Sequence, residues 1–257
     1  MSEHLRLEIA APVARLVYDR PGQKNAFNRQ MWAAVPELLD PLRTRTDLRA
    51  LVLCSSTPGI FAAGADLAEF EAFRSDYDGR KANQRAIRDA SRAIAQCPLP
   101  VIAAIDGPCM GGGFILAGAA DIRLASDRAK FGFPPAKLGL LYNYEDLVRL
   151  VDLVGPGRAK WLLFTGRVVD AGRAYAMGLV DEVAEAGAFD AALEALVGDI
   201  AALSSDSIRT SKVHVQAALD GQRDETEALV TAFLDMHDRR DHAEGLAAFR
   251  DKRRPNF

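Results

Sequence analysis

Two short segments of the chain carry backbone N–H groups that could hold an oxygen as it gains negative charge. One is Phe61–Leu67, which reads FAAGADL, and the other is Asp106–Gly113, which reads DGPCMGGG. In the second segment an apolar run leads into three glycines, and a predicted helix follows. The first N–H groups of a helix are free and lie at the positive end of its dipole, so they favour a developing oxyanion.

The same residues also have interpretations that involve no chemistry. The glycines match neither the Gly-x-Gly-x-x-Gly pattern of dinucleotide sites nor the P-loop, which ends in Gly-Lys-Ser or Gly-Lys-Thr. Gly111–Gly113 would allow a helix to pack tightly against a strand, and Phe61–Leu67 would form a turn before a helix capped by Asp66. From the residues alone these alternatives stay open.

The elements that must position the two segments alternate between short strands and helices. Apolar runs predict strands, the first two as a hairpin, at Leu5–Ile9, Val13–Tyr18, Ala50–Cys54, Val101–Ile105, Ile122–Ala125 and Leu179–Val183. Helical patterns begin at Asn28 as an N-cap and run to about Leu42, and they recur at Asp78–Gln96, Gly113–Ala119, Glu194–Leu203, Ser207–Leu219 and Glu225–Arg239. This order predicts an α/β core in residues 1–190 and a helical assembly region in residues 191–257.

Composition and charge exclude several other classes of protein. The chain has 257 residues, a mass of 27.8 kDa, a net charge of −3 and a pI of about 5.9, so no overall basic field attracts nucleic acid or membranes. We find no signal-peptide pattern and no apolar run long enough to span a membrane, which predicts a cytoplasmic protein. Cys54, Cys97 and Cys109 lack metal-ligand spacing and the histidines form no ligand cluster, so we expect reduced thiols and no metal.

Taken in order with the motifs that follow them, the two segments resemble the enoyl-CoA hydratase/isomerase family, which is the crotonase superfamily. After Phe61–Leu67 come the run from Pro100 to Gly107 and the triple glycine. Further family motifs follow at Ala120–Ala125, Phe131-Gly132, Lys137–Leu140, Phe164–Gly166, Ala176–Val180, Glu244–Phe249 and Lys252-Arg253. Each motif is short, but their order and spacing are specific, and the resemblance covers nearly the whole chain.

The resemblance implies a fold, a ligand and an assembly. The fold is a crotonase-like spiral of ββα turns with C-terminal helices that build trimers, often paired into hexamers. The substrate is an acyl-CoA thioester, so no separate cofactor is implied, and the family pattern assigns the oxyanion hole to the N–H groups of Ala65 and Gly112. The same pattern assigns coenzyme A contacts to Lys24, Ala26, Ala63, Asp66, Leu67, Phe249 and Lys252.

Two positions depart from the hydratases of this family. Those enzymes carry one glutamate three residues after the oxyanion glycine, where this chain has Ile115, and a second just before the Lys-Leu-Gly motif, where it has Pro135. Hydration needs one group to activate water and one to handle the proton at the α-carbon. Neither side chain can do this, which favours a lyase reaction such as decarboxylation over standard hydration.

The residues after Pro135 supply the remaining candidates. Asn143 stands where some isomerases and a dehalogenase of the superfamily carry a catalytic aspartate, and asparagine cannot replace it as base or nucleophile. Pro135 with Tyr142-Asn143 resembles the superfamily's methylmalonyl-CoA decarboxylases, although these have a carboxylate in place of Ile115 and a histidine in place of Ala65. Tyr142 could therefore orient a carboxylate or return a proton.

Decarboxylation to an enolate needs an oxyanion hole and an apolar place for the leaving carboxylate, but no general base. Ile60, Ile115 and Leu141 could line that place. Glu145 and Asp146 either cap the helix that follows them or, if one of them turns inward, supply an acid or base.

Three alternatives accompany the lyase prediction. The first is a hydratase or isomerase with a non-standard acid or base, and the second is an acyl-CoA binder without turnover. The third is RNA binding through a basic helix face, which one family relative uses in this region, at Lys81, Arg85, Arg88 and Arg92. This face has acidic neighbours and no aromatic residues for base stacking, so a solvated, partly ion-paired face is the better interpretation.

Overall fold

The strands of the protein belong to two sheets. The computed structural model describes residues 2–257, and its strands are β1 (Leu5–Ala10), β2 (Val13–Tyr18), β3 (Ala50–Ser55), β4 (Val101–Ile105), β5 (Pro108–Met110), β6 (Ile122–Ser126), β7 (Lys130–Gly132), β8 (Val169–Asp170) and β9 (Glu182–Ala184). The larger sheet has the order β1-β2-β3-β4-β6-β9, and the smaller sheet has the order β5-β7-β8. β1 pairs antiparallel with β2, and every later pair in the larger sheet is parallel.

Helices connect these strands and then close the chain. They are α1 (Arg29–Leu39), α2 (Leu67–Ala72), α3 (Tyr77–Ala95), α4 (Gly112–Ala119), α5 (Tyr144–Thr165), α6 (Ala171–Met177), α7 (Phe189–Ala201), α8 (Ser205–Leu219), α9 (Glu227–Asp235) and α10 (Arg240–Asp251). A strand of the larger sheet, a strand of the smaller sheet and a helix follow one another as β4-β5-α4 and again as β6-β7-α5. The ββα turns implied by the resemblance are therefore present.

The core lies on both faces of the larger sheet, because side chains alternate along each strand. Leu51 and Leu53 of β3 point into the main core, which α1, α3 and α4 cover. Ala50 and Val52 belong to a smaller cluster on the opposite face, which includes Phe189 of α7. The central parallel strands are therefore buried on both sides, as their nearly continuous apolar sequences predict.

Two predicted helix starts are confirmed by their capping bonds. The Asn28 side chain accepts a hydrogen bond from the N–H of Met31 at 2.8 Å, and the Asp66 side chain accepts one from the N–H of Ala68 at 3.0 Å. Each satisfies a donor that the helix itself cannot pair. These polar residues are local signals, which explains why the sequence located them.

Several predicted boundaries were wrong. The helix expected at Glu194–Leu203 is Phe189–Ala201, the one expected at Glu225–Arg239 is Glu227–Asp235, and two further differences have a clear local cause. The first helix was expected to reach Leu42 but ends at Leu39, and a 3₁₀ turn at Asp40–Thr44 replaces it because Pro41 has no N–H for the α-helical ladder. The strand expected at Leu179–Val183 is only Glu182–Ala184. The N–H of Leu179 instead donates to the carbonyl of Ala174 and closes the end of α6.

The short strands of the smaller sheet were not predicted, since segments of two or three residues carry no periodic pattern. Among the residues that the structure describes, no helix is both long and apolar enough to cross a membrane.

Candidate active site

The two glycine-containing segments meet beyond the carboxyl ends of β3 and β4. A parallel bridge pairs Ala62 with Cys109, and a second parallel bridge pairs Ala65 with Phe27. The segment Phe61–Ala65 therefore lies between the residues that precede α1 and strand β5. Residues 38 and 47 positions apart in the sequence become neighbours here through backbone pairing.

Backbone hydrogen bonds hold these three chain segments in register. The N–H of Ala62 donates to the carbonyl of Pro108 at 3.0 Å, and the N–H of Met110 donates to the carbonyl of Ala62 at 2.9 Å. On the other side, the N–H of Phe27 donates to the carbonyl of Gly64 at 2.8 Å. Side-chain identity has little influence on such bonds, so the geometry depends on the backbone and on the glycines.

The N–H groups of Ala65 and Gly112 are among those left unbonded at this junction. In residues 2–257 neither has a hydrogen-bond acceptor, and Gly112 is the first residue of α4. They are close together, because a Cβ atom placed on Gly112 would lie 2.9 Å from the nitrogen of Ala65 and 3.1 Å from the indole ring of Trp32. Any side chain at position 112 would therefore crowd the space between the two donors.

Gly113 has the packing role that the sequence left open. A Cβ atom there would lie 2.8 Å from the carbonyl oxygen of Ala62, which is closer than real Cβ contacts come. Glycine at 113 thus lets α4 approach the first segment, and glycine at 112 keeps the donors accessible. The glycine motif therefore provides both the close packing of α4 and an accessible N–H at Gly112.

Hydrogen bonds from Arg20 and Asn25 hold the first segment in place. These two residues were not named as site residues from the sequence. Arg20 Nη1 donates to the carbonyl of Ala26 and to Asp66 Oδ2, both at 2.8 Å. Asn25 is fully buried, has a left-handed φ of 55°, accepts from the N–H of Arg20 at 2.9 Å and donates to Ser55 Oγ at 2.7 Å. No local signal separates a buried asparagine in a polar turn from an exposed one.

The positions of the two missing glutamates hold no ionisable group. Ile115 lies on the buried helix α4 and is 7% exposed. Pro135 starts a 3₁₀ turn at Pro135–Leu138 and is half-buried. Of the other predicted pocket residues, Ile60 is half-buried, whereas Leu141 is 90% exposed in the single chain.

Tyr142 lies beside the second segment. Its hydroxyl donates to the carbonyl oxygen of Gly111 at 3.2 Å. Its ring packs edge-on against Phe114 and Phe133, with centroids 6.5 and 6.2 Å away. Burial raises the pKa of the Tyr142 hydroxyl well above its ordinary value, so this group stays protonated.

Glu145 and Asp146 have different surroundings, and neither caps α5. The N-cap is Asn143, whose side chain makes no capping bond, and both acids lie in the first helical turn. Both carboxylate oxygens of Glu145 accept from Arg92, which lowers the pKa of Glu145. Glu145 is therefore a poor candidate for a base.

Asp146 is 3% exposed, and burial raises its pKa to about 6. Its Oδ1 accepts from Ser91 Oγ at 2.9 Å and from Arg149 Nη1 at 3.2 Å. Its Oδ2 is buried and makes no hydrogen bond to any residue that the structure describes. The charge of the Asp146 carboxylate also contributes to the raised pKa of Tyr142, after burial.

The predicted coenzyme A residues near the first segment form one surface. The N–H of Ala63 donates to the carbonyl of Lys24 at 2.9 Å, and both residues are exposed. Ala26 and Asp66 are half-buried next to them, and Leu67 is 55% exposed at the start of α2. The side chains of Lys24 and Leu67 are thus accessible to solvent beside the first segment.

The C-terminal region contacts the opposite end of the larger sheet. Lys212 of α8 donates to the carbonyl of Leu99, which precedes β4, at 3.0 Å. Arg49, which precedes β3, donates to the carbonyl of Phe257 at 3.0 Å. Helix α8 and the chain end therefore lie at the amino ends of the strands whose carboxyl ends carry the two segments.

Phe249 and Lys252 lie at the end of α10, on the same side as the chain end. Phe249 is 86% exposed, and Lys252 is exposed and adopts a left-handed φ of 53°. Gly245, one turn earlier, lies against the Phe257 ring. Within a single chain the structure does not bring these two residues together with Ala65 and Gly112.

Comparison with known proteins assigns the class to which this fold and site belong. Residues 8–257 match the family model described as Enoyl-CoA hydratase/isomerase. The chain is 31% identical over 258 residues to the crotonyl-CoA hydratase of Syntrophomonas wolfei, covering 99% of this chain and 98% of the relative. It is 33% identical over 240 residues to the methylglutaconyl-CoA hydratase of Mus musculus, covering 91% of this chain and 76% of the relative.

Solved structures give the same result. A protein from Hyphomonas neptunium, ascribed to the enoyl-CoA hydratase/isomerase family, superposes with a TM-score of 0.95 at 42% identity, covering 99% of this chain and 97% of that one. An enoyl-CoA hydratase/carnithine racemase from Magnetospirillum magneticum superposes with a TM-score of 0.95 at 36% identity, covering 100% and 96%. This chain therefore belongs to the enoyl-CoA hydratase/isomerase family.

Proposed function

We propose that the protein processes an acyl-CoA thioester whose carbonyl oxygen lies between the N–H groups of Ala65 and Gly112. The observation that carries this proposal is the pair of adjacent, unbonded backbone donors at the junction of the two segments. Two such donors stabilise the negative oxygen of a thioester enolate, and removal of one typically costs about 10²–10³ in rate. Membership of an acyl-CoA family supports this choice of ligand.

For the reaction we favour a lyase step, such as decarboxylation of an acyl-CoA that carries a carboxylate on its α-carbon. In this step the bond between the α-carbon and the carboxylate breaks, CO₂ leaves, and the electron pair forms the enolate. A proton from water then completes the product. Ile115 and Pro135 offer no base, and Glu145 is bound by Arg92, so a reaction that needs no general base suits these surroundings.

A second candidate is hydration or isomerisation with Asp146 as the acid or base. Its support is the pKa of about 6 and the unbonded Oδ2, because a group that titrates near neutral pH can both accept and donate a proton. The hydratases among the relatives also favour this candidate. Binding without turnover is the outcome if neither reaction occurs.

We further propose that assembly completes the coenzyme A site. Lys24 and its neighbours would contact coenzyme A from the chain that holds the thioester, and Phe249 and Lys252 would come from an adjacent subunit of a homotrimer or hexamer. The support is their position at the far end of the sheet in their own chain. A cytoplasmic location stays a prediction. RNA binding has less support, because Arg88 pairs with Asp89 and Arg92 pairs with Glu145.

Parallel assays would decide among these reactions. Purified protein is incubated with alkylmalonyl-CoA thioesters, with CO₂ release measured, and with crotonyl-CoA, with loss of the enoyl-thioester absorbance measured. We expect CO₂ release and slow or absent hydration. Hydration with a kcat/KM above roughly 10⁶ M⁻¹s⁻¹ would contradict the lyase proposal and make Asp146→Asn the next variant. Calorimetry in which no acyl-CoA binds better than free coenzyme A would contradict the acyl-CoA site itself.

A further inference from the structure

We propose that Tyr142 is a positioning residue, whose hydroxyl orients and polarises the Gly111–Gly112 peptide so that the Gly112 N–H becomes a stronger donor. The inference rests on the proposed function and adds to it, because it assigns Tyr142 an action through the oxyanion donor rather than through a proton given to the substrate. It concerns one peptide group, with the Tyr142 hydroxyl at its carbonyl and the substrate oxygen at its N–H.

The geometry connects the two ends of this peptide directly. The Tyr142 hydroxyl donates to the Gly111 carbonyl oxygen at 3.2 Å, and the nitrogen in the same peptide plane is that of Gly112. The N–H of Phe114 also donates to this carbonyl, at 3.0 Å, and the N–H of Gly111 itself donates to the carbonyl of Gly132 at 2.9 Å. The carbonyl therefore receives two donors while the N–H on the other side is unbonded.

The first segment repeats the arrangement with backbone groups alone. The carbonyl of Gly64 accepts from the N–H of Phe27 at 2.8 Å, and the other end of that peptide is the unbonded N–H of Ala65. Hydrogen bonds in a chain polarise one another, so a donor at a carbonyl strengthens the N–H of the same peptide. Both proposed oxyanion donors thus belong to peptides whose carbonyls are bonded, but only that of Gly112 depends on a side chain.

The surroundings of Tyr142 suit a fixed donor better than a proton shuttle. Phe114 and Phe133 pack edge-on against the ring, with centroids 6.5 and 6.2 Å away, and the hydroxyl at its end is bonded to the Gly111 carbonyl. The hydroxyl already donates its hydrogen bond to the Gly111 carbonyl, and a carbonyl oxygen is not a base that takes up the proton. Since burial raises its pKa, the hydroxyl stays protonated at neutral pH.

The size of the effect follows from two general magnitudes. Losing an entire oxyanion donor costs about 10²–10³ in rate, and cooperative polarisation changes the strength of a hydrogen bond by roughly 10–30%. One tenth to three tenths of the logarithm of that factor corresponds to a fall in kcat of about two- to eightfold. Loss of a general acid would cost more, about 10²–10⁴, and would change the pH profile.

The experiment uses Tyr142→Phe, which removes the hydroxyl and keeps the ring against Phe114 and Phe133. The matched control is Tyr144→Phe, since Tyr144 is 80% exposed two residues later and has no part in the site. The readout is the infrared carbonyl band of saturated acyl-CoAs labelled with ¹³C at the thioester carbon. We expect binding to wild type and to the control to move the band to lower frequency, and binding to Tyr142→Phe to move it less. The KM of the best substrate should stay within about twofold of wild type.

Fluorotyrosine at position 142 keeps the shape of the side chain and makes the hydroxyl a stronger donor, so it tests the same inference if Tyr142→Phe folds poorly. We expect a larger band shift than in wild type. Equal band shifts in wild type, Tyr142→Phe and the fluorotyrosine protein would overturn the inference. A loss of more than 10²-fold in kcat together with the loss of one limb of the pH–rate profile would also overturn it, because that combination marks a general acid.

Failure of the proposed function gives a different result. In that case no acyl-CoA band moves, even in wild type. The amide-proton resonance of Gly112 in ligand-free protein then decides the inference alone. Tyr142→Phe should move this resonance upfield and Tyr144→Phe should not, and an unchanged resonance would refute the polarising role.

Discussion

The two ends of the larger sheet are built differently. At the carboxyl ends of β3 and β4, three chain segments pair through their backbones, and Phe61, Ala62 and Cys109 have no exposed surface. At the amino ends, α8 and the chain end are attached by the side chains of Lys212 and Arg49. Of residues 205–257 only Ala248 is buried.

Helices α8, α9 and α10 leave many apolar side chains in contact with solvent. Leu219, Phe233, Leu234, Leu246 and Phe249 are all more than half exposed, and an open cavity of about 650 Å³ lies between the three helices. Contiguous apolar surface of this kind is rare on a monomer. The comparison teaches that the first region is held together by backbone pairing within one chain, whereas the second leaves apolar side chains exposed, which is the surface that the proposed assembly would cover.

The largest expected effect concerns the first region. In Gly112→Ala the new methyl group would lie 2.9 Å from the nitrogen of Ala65, in the space proposed for the substrate oxygen. We expect turnover of the best acyl-CoA to fall by at least about 10²–10³, while binding of free coenzyme A is retained. Steady-state kinetics and calorimetry measure the two quantities.

Gly157→Ala is the matched control, because a Cβ atom at this position of α5 meets nothing within 4 Å. Its activity should equal that of wild type. Retention of full activity in Gly112→Ala would mean that no oxygen occupies the space between the two donors.

The buried Asp146 predicts a pH dependence of stability. Its pKa is raised from 3.8 to about 6, so folding favours the protonated form. The stability from this group is fully present below about pH 4 and is lost as pH rises through 6, with an upper limit of about 3 kcal/mol at neutral pH. We expect Asp146→Asn to have a flatter free energy of unfolding between pH 4 and 7, as measured by urea denaturation.

Parallel pH curves for wild type and Asp146→Asn would show that the carboxylate has an ordinary pKa. The same variant separates the two proposed reactions. A decarboxylase should keep most of its kcat, and a hydratase that uses Asp146 should lose about 10²–10⁴.

Assembly is the direct test of the second region. Sedimentation equilibrium at micromolar concentration should give the mass of three or six chains, and a mass near 27.8 kDa would contradict the trimer. In the oligomer, Phe249→Ala should weaken coenzyme A binding by roughly tenfold, the scale of one aromatic anchor. Its Tm should not change, since the side chain is 86% exposed in its own chain. A lower Tm with unchanged binding would assign Phe249 to packing alone.

The smallest expected effect concerns Glu145. Glu145→Gln should change kcat by less than about twofold, because both oxygens of Glu145 are bound by Arg92 and its pKa is lowered. A loss comparable to that of Gly112→Ala would mean that Glu145 leaves Arg92 and acts as the base. The rate of the best substrate, measured at several pH values, decides this.

The sequence by itself determined the features whose causes are local. Asn28 and Asp66 cap the helices that they precede, alternating apolar residues form the hairpin, and the glycines at 112 and 113 lie where another backbone segment approaches too closely for a side chain. The order of the motifs also identified the family, which the comparisons confirm. The caps, the hairpin and the glycines are each specified by residues within a few positions of the structure that they form.

Only the tertiary structure decided which polar groups are available for chemistry. Tyr142 reaches the Gly111 carbonyl across 31 positions, and Arg92 binds Glu145 across 53. Glu145 and Asp146 are adjacent in the chain, yet the first faces an arginine and has a lowered pKa, while the second is buried and has a raised one. Successive helical residues point in directions about 100° apart, so Glu145 meets Arg92 of α3 while Asp146 turns into the buried interior, and no pattern in the sequence reports that packing.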